Sequence, residues 1–216
     1  MEYLIVGYLW WSLIAGIAIS AGYHRYFSHK SFKAPVWYEH LVLALGPLAG
    51  TGPMLGWVGV HRMHHGASDT ENDPHSPKYK GFWRVYFSQF PVPLIPRRVI
   101  RDLLRNKRVM WYHRHHKDIR VASCIAFFLI FPWEWAVTLF VAPFFLGHIG
   151  FGFVNAWTHK DGRPKNVWWV GLFTGGGEGY HLNHHARTYD WRLTDGEWWQ
   201  IDIGEYFIRI FGHVEK

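Results

Sequence analysis

The chain has one cysteine, Cys124, and it sits inside an apolar run. An intramolecular disulfide and any thiolate-based metal site are therefore excluded. No GxxxxGK[ST] element occurs, so Gly175-Gly176-Gly177 is not a phosphate loop. That glycine run is expected to allow close backbone approach beneath a bound ion. Internal repeats and low-complexity tracts are missing, which removes solenoid and disordered-linker readings. Lys and Arg are absent from residues 3–24, 34–61 and 121–159, and all 23 lie outside those stretches. The +7 net charge is thus arranged around apolar segments, not spread over a soluble platform, which argues against a nucleic-acid partner.

Residues 3–23 contain neither a charge nor a proline. At about 1.5 Å per residue such a helix spans roughly 30 Å, one hydrocarbon core. It lacks a basic leader and a cleavage site and ends in His24-Arg25, which favours a retained transmembrane helix over a signal peptide. Residues 121–131 and 135–157 are apolar around Pro132-Trp133-Glu134 and read as a hairpin. Its first arm starts near residue 119, with Lys117 and Arg120 snorkelling. His148 falls at lipid depth in the second arm and needs a partner there. Residues 36–58 are apolar but interrupted by Gly46-Pro47, Gly50, Gly52-Pro53 and Gly56. A full crossing would put His24 and His61 on opposite faces, so a re-entrant or interfacial segment is expected.

The expected fold is an α-helical integral membrane protein of one domain, residues 1–216. About three transmembrane helices (3–23, 119–131 and 135–157) and the re-entrant or interfacial segment lie under a helical cap, residues 61–118 and 160–216. The positive-inside rule puts that cap on the cytoplasmic face, making the protein multi-pass. The 14 Trp and 11 Tyr gather near segment ends, as interfacial belts do.

Sixteen histidines are present, and nine of them fall into short clusters beside the apolar segments. The clusters read His24-Arg-Tyr-Phe-Ser-His29, His61-Arg-Met-His64-His65, Asn155-Ala-Trp-Thr-His159 and His181-Leu-Asn-His184-His185. Positions i, i+3 and i+4 share a helix face, which both HxxHH clusters satisfy; Asn155 and His159 are likewise i, i+4. His24 and His29 are five apart, roughly 140° on an α-helix, so the helix must end or loosen between them. Nine imidazoles exceed the four ligands of a structural zinc site and suit two ions. Imidazole itself serves Fe, Cu, Zn and Ni alike.

His113-Arg-His115-His116 lacks the repeat and reads as an interfacial basic patch. His40, His75 and His213 are not expected to be ligands. Metal-bound imidazoles commonly give their second N–H to a carboxylate. Glu178, Asp69, Asp73 and Asp190 are candidates for that role, Glu178 on the same helix face as His181, with Trp57 beside the second cluster. Asp73-Pro74-His75 reads as the turn that ends the second cluster's helix.

Those four clusters, with Trp57-Val-Gly-Val-His61 and Asp73-Pro74-His75, resemble the membrane fatty acyl desaturases of the acyl-CoA (stearoyl-CoA) Δ9 type. The resemblance runs from about residue 16 to 199 and keeps the order of three histidine boxes. It implies a non-haem di-iron site with ligands His24, His29, His61, His64, His65, His159, His181, His184 and His185, and Asn155 acting through a water. It also implies O2 as co-substrate and an external electron donor, cytochrome b5 or ferredoxin. The implied reaction puts a cis double bond, commonly Δ9, into a saturated acyl chain on CoA or lipid.

The chain departs from the family pattern in two places. It starts on the helix that ends in the first box, without the usual preceding helix, and its third box reads HLNHH where HNxHH is common. No fused cytochrome b5 domain is expected. A channel walled by residues 3–23, 36–60 and 140–157 would hold the chain, with basic residues in 97–120 available to CoA phosphates or headgroups. A di-iron membrane hydroxylase shares the three-box pattern. Outside enzymes, the alternative is a histidine-rich metal-binding membrane protein. Oligomeric state is not legible from the sequence.

Overall fold

The computed structural model describes residues 1–213. The expected cap segment, residues 160–216, therefore ends with three positions outside the described residues. The described chain is helical. In order, α1 is Glu2–His29, α2 Val36–Leu45, α3 Met54–Ala67, α4 Pro77–Lys80, α5 Phe82–Tyr86 and α6 Arg101–Arg105. Then come α7 Lys107–Arg114, α8 His116–Ile130, α9 Trp133–Trp157, α10 His181–Ala186 and α11 Ile203–Phe211.

Two helices, α1 and α9, are long and apolar enough to cross a membrane, and the bent pair Val36–Ala49 with Met54–Ala67 would make a third. That pair turns by 87° at its break. Gly50 and Gly52 there take positive φ (70° and 80°), a backbone that L side chains avoid, and Pro53 then starts α3. The expected interrupted segment is real, but it runs on without pause into the helix that carries the second histidine cluster. The hairpin is also present, with α8 as its first arm. At 15 residues α8 covers about 22 Å, less than a full hydrocarbon core.

α1 is longer than the expected 3–23 and has two characters. Its first part, Glu2–Leu13, exposes apolar side chains, Leu4 at 76% and Leu9 at 57%. From Ile14 it is almost wholly buried, with Ala15, Ala18 and Ile19 at 0%. The chain's own later segments, not lipid, cover that half. Gly16 there lies against Ile203 and Gly22 against Val42. The first half is also tied: the Trp11 indole donates to the Phe173 carbonyl at 2.9 Å, and Tyr8 to that of Leu172 at 2.9 Å. Gly175, at φ 77°, lies against the α1 backbone at Ser12 and Gly16. The glycine run thus allows close backbone approach to α1 and to Ile201-Asp202.

The buried half of α1 is also wound differently. Ile14–His29 follows the wider π course, in which each N–H reaches back five residues. Side chains echo that step: Ser28 Oγ donates to the Tyr23 carbonyl and Arg25 Nε to that of Ser20, each five residues back. Residues five apart therefore sit one turn apart. The helix neither ends nor frays between His24 and His29; it widens.

Candidate metal centre

α1 delivers His24 and His29, α3 delivers His61, His64 and His65, and α10 delivers His181, His184 and His185. His159 lies in the turn just after α9. The four segments converge. One ligand atom from each of His24, His29, His61, His65 and His184 falls within 4.8 Å of the others, and the same holds for His64, His159, His181 and His185. All nine expected histidines are thus gathered, five around one point and four around a second.

Hydrogen bonding fixes which nitrogen faces inward. His24 Nδ1 donates to Glu178 Oε1 at 2.8 Å, His64 Nδ1 to Asp73 Oδ2 at 2.9 Å, and His159 Nδ1 to Asp69 Oδ2 at 2.8 Å. A neutral imidazole with its proton on Nδ1 has only a lone pair on Nε2. The Nε2 atoms of the gathered rings crowd together. His24 and His184 approach to 2.9 Å, His184 and His65 to 2.9 Å, His29 and His61 to 2.8 Å, and His64 and His185 to 3.4 Å. The His159 Nε2 is buried with no partner. A cation among them would give the crowded nitrogens one common partner. That spacing fits imidazoles each about 2.0–2.1 Å from a shared first-row ion.

Burial keeps the α10 rings neutral. His181, His184 and His185 are pushed well below the ordinary imidazole range, first by desolvation and then by neighbouring histidines. Burial alone would raise the Glu178 carboxyl, but His24, Arg25 and the Ser20 hydroxyl together hold it below its usual range.

Four of the five side chains expected beside the clusters touch a histidine. Glu178, Asp73 and Asp69 hold one histidine each. Trp57 stacks on His61 at 5.0 Å with 15° between planes. Glu178 differs from expectation in its partner. It lies in a separate tight turn before α10 and reaches His24, not His181. Asp190 is a correction: it receives Arg192 Nε at 3.2 Å and its backbone N–H at 3.0 Å, and so ties its own loop.

Asp73 does not end α3, which stops at Ala67. Its carboxylate instead also accepts the N–H groups of Asp69 and His75. His75 stacks on His64 at 4.4 Å, which places it behind a candidate ligand; His64, Asp73 and His75 also come within range of one another, but His64 Nδ1 there is already spent on Asp73. The His113–His116 run is not a uniform solvated patch, because His116 is buried. Asn183, the unusual third-box residue, points away from the histidines: its amide donates to Leu193 O at 3.1 Å and Asp195 Oδ1 at 2.9 Å.

Sequence reasoning missed the layer behind Glu178. The Ser20 hydroxyl donates to Glu178, and Arg25, 1% exposed, donates to Ser20 Oγ at 2.7 Å and to Asp202 Oδ1 at 2.8 Å. Asp202 caps α11 through the Glu205 N–H at 3.0 Å. The signal was an arginine directly after an apolar run and between two histidines.

A cavity of about 390 Å³ opens onto both histidine groups, touching His61, His64 and His181 and bordered by Asn155 and Glu178. Trp57, Gly50 and His148 also line it. Among the lining residues none comes from the expected wall 3–23, whereas Ser88, Phe90 and Val92 take part. Among the described residues no Lys or Arg lines it.

The fatty acid desaturase family profile matches residues 3–191. The chain is 37% identical over 212 residues to the sn-1 stearoyl-lipid 9-desaturase of Synechocystis, covering 92% of this chain but only 65% of that protein's length. It is 36% identical to Delta-9 acyl-lipid desaturase 2 of Arabidopsis thaliana, over 92% of this chain and 68% of the relative. It is 33% identical to the sn-2 palmitoyl-lipid 9-desaturase of Nostoc, over 94% and 75%. With these similarities over most of its length and the gathered histidines, the chain belongs to the fatty acid desaturase family.

Proposed function

We propose that this protein is an O2-dependent acyl-lipid desaturase that introduces a cis double bond, at Δ9, into a saturated chain esterified to a membrane lipid. The observation that carries the reading is the pair of histidine groups, five and four, facing an apolar cavity. His24, His29, His61, His65 and His184 would hold one iron; His64, His159, His181 and His185 would hold the other, with Asn155 contributing through a water. Two irons bound there supply the O2-dependent oxidation that an unactivated methylene requires, with electrons from an external donor of the cytochrome b5 or ferredoxin kind.

The chain's own residues do the positioning. Glu178, Asp73 and Asp69 keep Nδ1 protonated on His24, His64 and His159, so that Nε2 stays available. Trp57 lies flat on His61 and limits how that ring turns. The cavity excludes water and selects one methylene among near-identical neighbours by where it holds the chain. Apolar lining draws the alkyl chain in, at about 0.8 kcal/mol per buried methylene. A wall without Lys or Arg suits a lipid ester better than the phosphates of CoA, and the names of the relatives agree with that choice.

The test is fatty-acid profiling of a desaturase-deficient host expressing the wild type beside His64→Ala. The expected result is a cis-monoene with the wild type and none with the variant. A hydroxy acid in its place would indicate a hydroxylase, and iron retention with no O2-dependent product would indicate a metal-binding protein.

A further inference from the structure

The carboxylates that hold the histidines are themselves held in two different ways. Asp69 and Asp73 belong to one local turn, residues 69–76. Asp73 accepts the N–H groups of Asp69 at 2.8 Å and His75 at 3.0 Å, and Asp69 receives the Ser76 hydroxyl at 3.3 Å. Donors from its own turn thus fix Asp73. Glu178 has no such support. Among the described residues its carboxylate bonds only to the Ser20 hydroxyl and to His24 Nδ1. Both meet the same oxygen, Oε1, and both come from α1.

Ser20 is in turn directed by Arg25. The two are five residues apart, one turn of the wide winding of α1. Arg25 donates to the Ser20 carbonyl at 3.1 Å and to Ser20 Oγ at 2.7 Å. A guanidinium carries donors only, so Oγ must accept from it and turns its own proton to Glu178. That proton and the one on His24 Nδ1 converge on Oε1, which keeps His24 Nε2 among the gathered nitrogens.

Arg25 is pinned from beyond α1. One nitrogen, Nη1, donates to the Trp191 carbonyl at 3.0 Å, and Nη2 donates to Asp202 Oδ1 at 2.8 Å. The same Asp202 oxygen accepts the Glu205 N–H at the start of α11. The first turn of α11 lies directly on the guanidinium, since a Cβ on Gly204 would come 2.5 Å from Arg25 Nη2. Both charges are fully enclosed, and Asp202 Oδ2 is buried without a hydrogen-bond partner. Desolvation cancels much of the attraction in so enclosed a pair, which makes it a poor device for stability alone.

We propose that Arg25, acting through Ser20 and Glu178, is a positioning residue for His24, so that the docked start of α11 governs the ion of the five-histidine group and not that of the four. His64 and His159, whose carboxylates sit in the 69–76 turn, belong to the second group. This dependence rests on the desaturase reading of the site, and it ties one ion to a helix that contributes no ligand.

The test follows the two ions separately. Iron-loaded protein in detergent is dialysed against graded chelator, and retained iron is measured per chain, with Mössbauer spectroscopy distinguishing the ions. The signal missing from His29→Ala marks the five-histidine ion. Ser20→Ala should release that ion at about tenfold lower chelator than the wild type, the effect of one hydrogen bond, and leave the other unmoved. Arg25→Met combined with Asp202→Asn leaves no buried charge unpaired and keeps an acceptor for the Glu205 N–H. It should shift the same ion by at least as much; should it fail to fold, Ser20→Ala decides alone. A Ser20→Ala curve identical to the wild type overturns the proposal, as does an equal shift of both ions, which a merely structural role would give. A wild type that retains no iron would instead overturn the metal reading of the site itself.

Discussion

A carboxylate on Nδ1 commits an imidazole to present a lone pair at Nε2, and that commitment is what Glu178, Asp73 and Asp69 contribute. Each stands 2.8–2.9 Å from its histidine, and Glu178 and Asp73 are fully enclosed. Glu178→Gln keeps the shape but removes the charge that favours the proton on His24. It should lower metal affinity by about 10–100-fold, measured as iron bound per chain across a titration. Asp190→Asn should leave that curve unchanged, because Asp190 holds Arg192 and not a histidine. An equal fall in both variants would mean that the loss reflects general instability. At this scale the sequence was informative for residue type and poor for pairing. Glu178 is three positions from His181, yet its partner is His24, 154 residues away. Sequence proximity cannot anticipate a contact made by packing the α10 segment against α1.

Among the elements, α1 explains how an irregular spacing yields a regular site. Five residues separate His24 from His29; α geometry turns them apart, and the wider winding brings their ring centroids to 5.0 Å. Hydrophobic periodicity along an all-buried helix carries no mark of that widening, because every face is covered and any period fits. The HxxHH clusters were legible because α3 and α10 are ordinary helices on which i, i+3 and i+4 align. Contacts between elements depend on small residues. Gly147 on α9 lies so close to Ala49 that a Cβ would collide with the Ala49 carbonyl oxygen, whereas at Gly66 on α3 it would meet open space. Gly147→Ala should therefore destabilise the protein by about 1–3 kcal/mol as the turn is forced away. Gly66→Ala should be neutral or stabilise by about 0.5–1 kcal/mol. Thermal unfolding in detergent measures both, and a tolerated Gly147→Ala would show that the turn before α3 is free to move.

Over the whole molecule, the histidine groups are the place where distant parts of the chain meet. α1, α3, the turn after α9, and α10 each contribute, spanning residues 24 to 185. The sequence revealed those contributors and the interrupted segment between α2 and α3. It did not reveal that residues 88–92 wall the cavity, since a proline-rich loop has no period to read. An ion at each group would cross-link three segments, and the two ions together would join all four. Chelation should therefore loosen the molecule as a whole and not merely inactivate it. An ion present at about 1,000 times its dissociation constant adds about 4 kcal/mol to stability. For a chain of this size each kcal/mol moves the midpoint by roughly 2–4 °C, so removing both ions, about 8 kcal/mol together, should lower it by roughly 16–32 °C. Restoring ferrous iron should recover the original midpoint, and His64→Ala should show a smaller response because one group has lost a ligand. A midpoint indifferent to chelator, in protein shown to contain iron beforehand, would mean that packing alone holds the four segments together.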